Sequence, residues 1–321
     1  MSEPAISVLM PVKNAEAFIA DALKSVLDQT YTDFEVIVID DGCTDKSIDV
    51  VNTFADPRVR VIPGPRSGLA DALNAAIAVS RGRYYCNCDA DDLFPVDRLT
   101  WQMEFLESHP EFDAICSSYV AIDTAGKEIS ILAKQPECEE ITGELNTGKV
   151  RTHHATYLVR MEKMRAINGM RRYFVTGLDI DYQLRLSEIG RVWYDTRNGY
   201  YYRIHDASIT HTEAKLRNDF FQRKAREFQQ QRKATGQDDL DRGCAETPPS
   251  NSAGHVAPAA KQIQGFLIAS SWKILAEGHR GRAISTAMKA VGADPVAMSG
   301  WRNLAIMLVK APLSSPPRRG A

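Results

Sequence analysis

No run of apolar residues in this chain approaches the roughly 18 that would suggest a membrane span. The N-terminus lacks the basic and apolar regions of a secretory signal. Cysteine is sparse. Cys43, Cys86, Cys88, Cys116, Cys138 and Cys244 are the six among 321 residues, and they form no CxxC pair of the zinc-binding kind. A disulfide-built scaffold is thereby disfavoured, and a reduced, cytoplasmic protein is expected. Neither sign of charge is in excess: 39 Lys and Arg stand against 41 Asp and Glu, a formal net charge of −2, so nothing points to nucleic acid as a partner. What remains is an ordinary globular composition, 44% apolar and 25% charged, in a chain long enough for one large domain or two.

The most informative stretch is Tyr84-Tyr85-Cys86-Asn87-Cys88-Asp89-Ala90-Asp91-Asp92. A run able to form a buried strand ends in three carboxylates within four residues. Crowded carboxylates repel one another and are costly to desolvate, so a cation is expected among them. A hard divalent ion, Mg²⁺ or Mn²⁺, prefers oxygen ligands and is commonly held by one or two carboxylates plus substrate phosphates. Taken alone, the same stretch also fits a solvated acidic turn that caps the next helix.

The order of elements favours the metal and phosphate site. Ala5 to Met10 reads as a strand stopped by Pro11, and Asn14 as an N-cap for a helix carrying Phe18, Ile19, Ala22, Leu23, Val26 and Leu27. Phe34 to Ile39 reads as a second strand ending at Asp40-Asp41-Gly42, followed by a helix capped by Thr44 or Asp45. Arg58 to Ile62 is a third strand and Leu69 to Val79 a helix, before the strand that leads to Asp89. Such alternation predicts a parallel sheet covered by helices, in which ligands bind beyond the carboxyl ends of the strands. Both acidic clusters lie at those ends.

Farther on, Pro95 suits the first turn of a helix through Leu106, Ala114 to Ile122 is a strand, and Asp123 to Gly126 a turn. His154 to Arg160 reads as a strand, in which at most one of His153 and His154 could face a pocket. Asp179 to Ile189 reads as a helix. Arg191 to Asp195 and Gly199 to Ile204 read as two closing strands, and Glu213 to Lys233 as a basic helix. Residues 236–258 have the composition of a linker, dividing a catalytic domain over 1–235 from a helical region over 259–321. The last region holds three apolar-periodic helices, one of them with a stripe of Trp301, Leu304, Ala305 and Leu308. Their partner surface is open: the main domain, each other, a second subunit or a bilayer.

Several ordered motifs resemble those of the family 2 glycosyltransferases of the GT-A fold. They are Ser7 to Asn14; Val38 to Asp45, with Cys43 where Ser is usual; Gly68 to Ile77; Asp89-Ala90-Asp91-Asp92, which matches the DxD motif; Asp179 to Leu186; and Tyr202 to Ser208. The resemblance spans the first two-thirds of the chain. It departs at Leu178, where Glu is usual, and at Gln183, where Trp is common.

The resemblance implies a Rossmann-like, mostly parallel α/β sheet with a C-terminal helical extension. It implies transfer of a sugar, with inversion, from a nucleotide-diphosphate donor to a hydroxyl of a glycan, polysaccharide or lipid-linked acceptor. UDP is the favoured nucleotide. Pro11, Asn14, Asp40, Asp41, Arg66 and Asp89 would meet the nucleotide, Asp91 and His205 would hold Mn²⁺ or Mg²⁺, and Asp179 would be the general base. The C-terminal helices would serve peripheral membrane contact, at the inner face of the membrane, or homo-oligomer formation. Competing functions are a non-catalytic sugar-nucleotide-binding or scaffold protein, which Leu178 keeps open, a receiver-like domain and a nucleotidyltransferase.

Overall fold

In the computed structural model, residues 3–133, 135–206, 215–250 and 258–310 are described. Outside them lie Ala207 and Ser208 of the closing motif, Glu213 and Ala214 of the basic helix, residues 251–257 of the expected linker and residues 311–321. The first part of the chain alternates β1 (Ile6–Val12), α1 (Ile19–Leu27), β2 (Phe34–Asp40), α2 (Ser47–Asn52), β3 (Val59–Pro63), α3 (Leu69–Val79) and β4 (Tyr84–Asn87). There follow α4 (Arg98–Ser108), β5 (Ala114–Ile122), β6 (Glu128–Leu132), β7 (Glu139–Glu140) and α5 (Thr142–Asn146). A 3₁₀ turn over His154–Thr156 leads to β8 (Leu158–Arg160), α6 (Met161–Ala166), α7 (Leu178–Ile189), β9 (Val192–Arg203) and α8 (Lys215–Thr235). The last helices are α9 (Ala259–Ala276), α10 (Arg280–Ala293) and α11 (Met298–Lys310).

These residues fall into two compact units. One is built from residues up to Ala121, from Leu132–Arg203 and from residues 215–250. The other is built from Ile122–Ile131, residues 204–206 and residues 258–310.

In the first unit the strand order is β3-β2-β1-β4-β8-β5-β9-β7. The four strands β1 to β4 run parallel, and β8 is antiparallel to both β4 and β5. Alternation along each strand sends Leu9, Ile37 and Tyr85 into a layer with α3 and α7. Val8, Val36 and Cys86 go into the opposite layer with α1 and α4. Burial on both faces is why these strands read as near-continuous apolar runs.

Some elements differ from expectation. The strand expected from His154 begins only at Leu158, because the His154–Thr156 turn precedes it. The two closing strands are a single twelve-residue strand, β9, with Asn198 and Gly199 in its middle. Asn14 does not cap α1: its φ is +55°, and its side-chain oxygen accepts the Thr44 N–H at 2.8 Å. The helix expected from Pro95 starts at Arg98, whose N–H is accepted by the Pro95 carbonyl.

The first half of the expected linker is also structural. Asp238 is fully buried, pairs with Arg171 at 2.5 Å and also pairs with Arg232. The Tyr173 hydroxyl donates to the Glu246 carbonyl at 2.6 Å. A polar composition disguised this segment because ion pairs anchor it, with only Leu240 and Ala245 of residues 236–250 packed on the apolar core.

In the second unit α9, α10 and α11 pack on one another through Ala283, Ala287 and Met307, joined by Ile274, Ile284 and Leu304. Gln264 on α9 donates to the carbonyls of Ala290 and Asp294 and accepts from Ser299. The stripe on α11 is thus split: Leu304 packs inward, whereas Trp301 and Leu308 are 50% and 56% exposed. No described helix is long and apolar enough to cross a membrane.

Candidate active site

The acidic clusters converge because β1 lies between β2 and β4. Val12 is in register with Asp40 and Leu9 with Asn87, so both clusters leave the sheet at the same end. Two inter-strand spacings put them about 10 Å apart.

After β2 the chain folds around its own carboxylates. Asp40 Oδ1 accepts the N–H groups of Gly42 and Cys43 at 3.1 and 2.8 Å. The Cys43 N–H outweighs the effect of burial and, with the Arg66 guanidinium nearby, holds the Asp40 carboxyl below the ordinary carboxylate range. Asp41 Oδ1 accepts the Arg66 N–H at 2.7 Å, and Arg66 itself has φ +57°. Gly64 permits this approach, since a Cβ there would stand 2.9 Å from the Asp40 carbonyl oxygen. Asn14 splints the turn from the β1 side through Thr44. Pro11 sits opposite Ile39, half-buried in β1. Each of Asp40 and Asp41 therefore spends one oxygen on the backbone, and its other oxygen makes no hydrogen bond among the described residues.

After β4 the acidic turn closes on itself and on β9. The Asp92 N–H donates to the Asp89 carbonyl, and the Asp89 N–H donates to the Tyr200 hydroxyl oxygen at 3.0 Å. Leu93 and Tyr201 exchange backbone hydrogen bonds. The Arg203 N–H donates to Asp92 Oδ1 at 2.6 Å, and its Nε donates to the Asp91 carbonyl at 2.7 Å. Burial pushes the Asp89 carboxyl up to about 6; nearby His153 opposes that rise and Asp91 adds to it. Burial, then Asp91 and Asp89, push Asp92 well up, and its Oδ2 is buried without a hydrogen bond. This mutual repulsion is what a divalent cation relieves, so the donor set fits one. Among the described residues no group of three or more His, Cys, Asp or Glu is arranged to hold a metal. Asp91 and Asp89 would therefore need further oxygens, which a diphosphate supplies. His205 falls in the second unit, two residues beyond β9.

Asp179 stands in the first turn of α7, next to the N-cap Gly177, whose φ is +70°. Its carboxylate makes no hydrogen bond among the described residues, and its charge is felt by the Tyr119 phenol. The two departures from the family pattern have structural roles. Leu178 is 5% exposed and belongs to the apolar core. Gln183 is fully buried; it accepts from the Tyr157 hydroxyl at 2.8 Å and donates to the carbonyls of Thr152 and Asp179 at 3.0 Å. It thus fastens the start of α7 to the segment that carries the paired histidines.

Those histidines part company. His154 is buried with neither ring nitrogen bonded, and burial holds its pKa well below the ordinary value. His153 is half-buried, with ring centroids 6.3 Å from Tyr119, 6.2 Å from Tyr200 and 6.0 Å from Tyr202. Sequence reasoning gave no role to Tyr119, Tyr200 or Gln183, since each depends on a partner far along the chain. Tyr202 and Arg203 were inside the closing motif but unassigned.

Comparison with known proteins places this geometry. The family model described as "Glycosyl transferase family 2" matches residues 7–172. The chain is similar to the chondroitin synthase of Pasteurella multocida (strain Pm70), at 28% identity over 225 residues, 68% of this chain and 22% of that protein. It is also similar to the hyaluronan synthase of Pasteurella multocida, at 30% identity over 194 residues, 59% of this chain and 19% of that protein. The chain thus spans about a fifth of the length of either synthase. Two solved structures of S. aureus TarS 1-349 share the fold. The complex with UDP-GlcNAc has TM-score 0.61 at 16% identity, covering 95% of this chain and 88% of that one. The complex with UDP has TM-score 0.57 at 17% identity, covering 95% and 87%.

Proposed function

The chain belongs to glycosyl transferase family 2, and from that premise we propose that it moves a sugar, with inversion, from a UDP-sugar to a hydroxyl of a glycan, polysaccharide or lipid-linked acceptor. The observation that carries this is the convergence of the Asp40-Asp41 and Asp89–Asp92 turns on either side of β1, with the Asp179 carboxylate, which makes no hydrogen bond among the described residues, at the start of α7. UDP is favoured because TarS, which shares the fold, has been solved with UDP and with UDP-GlcNAc. A polymer acceptor is favoured by the two synthases among the relatives.

Asp40 and Asp41 offer their free oxygens to the N–H and hydroxyl groups of the nucleoside, and Arg66 adds a cation beside them. Pro11 and Asn14 shape the wall of the same turn. Asp91 and Asp89 would hold Mn²⁺ or Mg²⁺, and the ion would supply Lewis-acid neutralisation of the leaving diphosphate. Asp179 takes the acceptor's hydroxyl proton as the new O–C1 bond forms. The electron pair of the breaking C1–O bond leaves with the nucleoside diphosphate. The N-terminus of α7 also favours a charged carboxylate at this position. On the second unit, Trp301, Leu308 and Met288 are the exposed residues through which a second copy or a membrane surface would be met.

A thermal-shift screen of UDP-sugars with and without Mn²⁺, followed by detection of released UDP, tests the reading. Metal-dependent stabilisation with release of UDP supports transfer. Stabilisation without any UDP release supports a sugar-nucleotide-binding protein instead, and no stabilisation by any nucleotide removes the donor site.

A further inference from the structure

Between the acidic turn and Asp179 lies a group of rings that the chemistry above does not use. Tyr119 on β5 and Tyr202 on β9 meet edge to face, with centroids 6.4 Å apart and planes at 87°. His153 lies about equally far from both, 6.3 and 6.0 Å, with planes at 46° and 43°. All three are half-buried, so each presents part of its surface outward. His153 Nδ1 accepts the Ala155 N–H, which leaves the proton on Nε2 as an outward donor. The Tyr119 side chain is half-buried, and its hydroxyl makes no hydrogen bond among the described residues. His153 is electrostatically coupled to Asp89, and Tyr119 to Asp179. His153 thus neighbours the acidic turn, also through Tyr200, and Tyr119 neighbours the carboxylate that would take the acceptor's proton.

We propose that Tyr119, His153 and Tyr202 form a stacking platform for an uncharged pyranose at the acceptor's terminus, held by its C–H face with its hydroxyls against Tyr119 Oη and His153 Nε2. This rests on the assignment of Asp179 as the acceptor-side base. Half-exposed aromatic rings with polar tips suit a ligand that has an apolar face and a polar rim. The surroundings also select against charge. Burial pushes the Tyr119 phenol up to about 12, and the charge that adds to this is Asp179. A phosphate or carboxylate seated here would face the Asp179 carboxylate.

Saturation-transfer NMR on the full chain with UDP and Mn²⁺ tests this directly. The probes are methyl β-glucopyranoside, methyl β-N-acetylglucosaminide and, as a charged polyol, sorbitol 6-phosphate. One or both pyranosides should receive saturation on their ring C–H protons, and sorbitol 6-phosphate should not compete. Tyr119→Ala and Tyr202→Ala should each weaken the pyranoside about tenfold, while Tyr119→Phe keeps most of the binding. UDP-induced thermal stabilisation should persist in all three variants and reports that each is folded. Pyranoside signals that are absent from the wild-type chain, or unchanged in both alanine variants, overturn the platform. So does competition by sorbitol 6-phosphate. Ring-dependent pyranoside binding in a chain that Mn²⁺ and UDP fail to stabilise would retain the platform and refute the donor assignment instead.

Discussion

The two ends of the site are built by different means. At the proposed nucleotide end, carboxylates are held by backbone N–H groups: Asp40 by Gly42 and Cys43 just after it, and Asp41 by Arg66, 25 residues on. At the proposed acceptor end the Asp179 carboxylate makes no hydrogen bond among the described residues, and its surroundings come from β5, the 152–157 segment, α7 and β9. Hydrogen bonds from Gly42, Cys43 and Arg66, with Asn14 on Thr44, converge on the β2 turn and hold the first in place. The second is an assembly that is only as good as the packing beneath it.

The sharpest way to break the comparison is to remove one carboxylate from each end. Asp179→Asn should lower transfer by about two to four orders of magnitude, the usual size of a general-base contribution. UDP stabilisation in Mn²⁺ should stay unchanged, and steady-state rates beside thermal shifts check both. The foundation of α7 comes next. Asp238→Ala should cost about 3–5 kcal/mol in urea unfolding, because Arg171 and Arg232 lose a buried partner. At the nucleotide end, Asp91→Asn should abolish the Mn²⁺-dependent part of stabilisation by UDP, about 2.7 kcal/mol when UDP is a hundredfold above its Kd. Unchanged metal dependence in that variant would move the cation elsewhere.

Two smaller effects sharpen the contrast. Gln183→Leu leaves the Tyr157 hydroxyl and the Thr152 carbonyl without their partner and should cost about 1–3 kcal/mol. Acceptor KM should rise more than donor KM, since Gln183 also holds the Asp179 carbonyl. Under the nucleotide half, buried Glu35 accepts from Ser7, from the Arg81 N–H and from the guanidinium groups of Arg60 and Arg81. Burial alone would raise its pKa, but these bonds outweigh burial and hold it below 4.5. A lowered folded-state pKa gives stability that is fully present above the ordinary value and lost as pH falls through the folded one. The stability difference between wild type and Glu35→Gln should therefore be constant near neutral pH and shrink in acid below about 4.5. A gap that widens there would reverse the assignment.

The sequence by itself determined the parallel core and the two acidic strand ends. Apolar runs of strand length, helical spacing and Asp-rich turns are properties of neighbouring residues, and the rules that link them to structure act over a few positions. The helix from Leu69 to Val79 has the expected limits for that reason. Side-chain partnership belonged to the tertiary structure. Asn14 could have capped a helix, but the β2 turn, 30 residues on, supplied a better donor in Thr44. Residues 236–250 were polar enough to be a linker, and Arg171 and Arg232 turned Asp238 into an anchor. Tyr200 meets Asp89 across 111 positions, and Tyr119 meets Tyr202 only because β5 and β9 are neighbours in the sheet. Whether a phenol, an imidazole or a carboxylate stays free for a ligand depends on which groups folding brings within 3 Å of it.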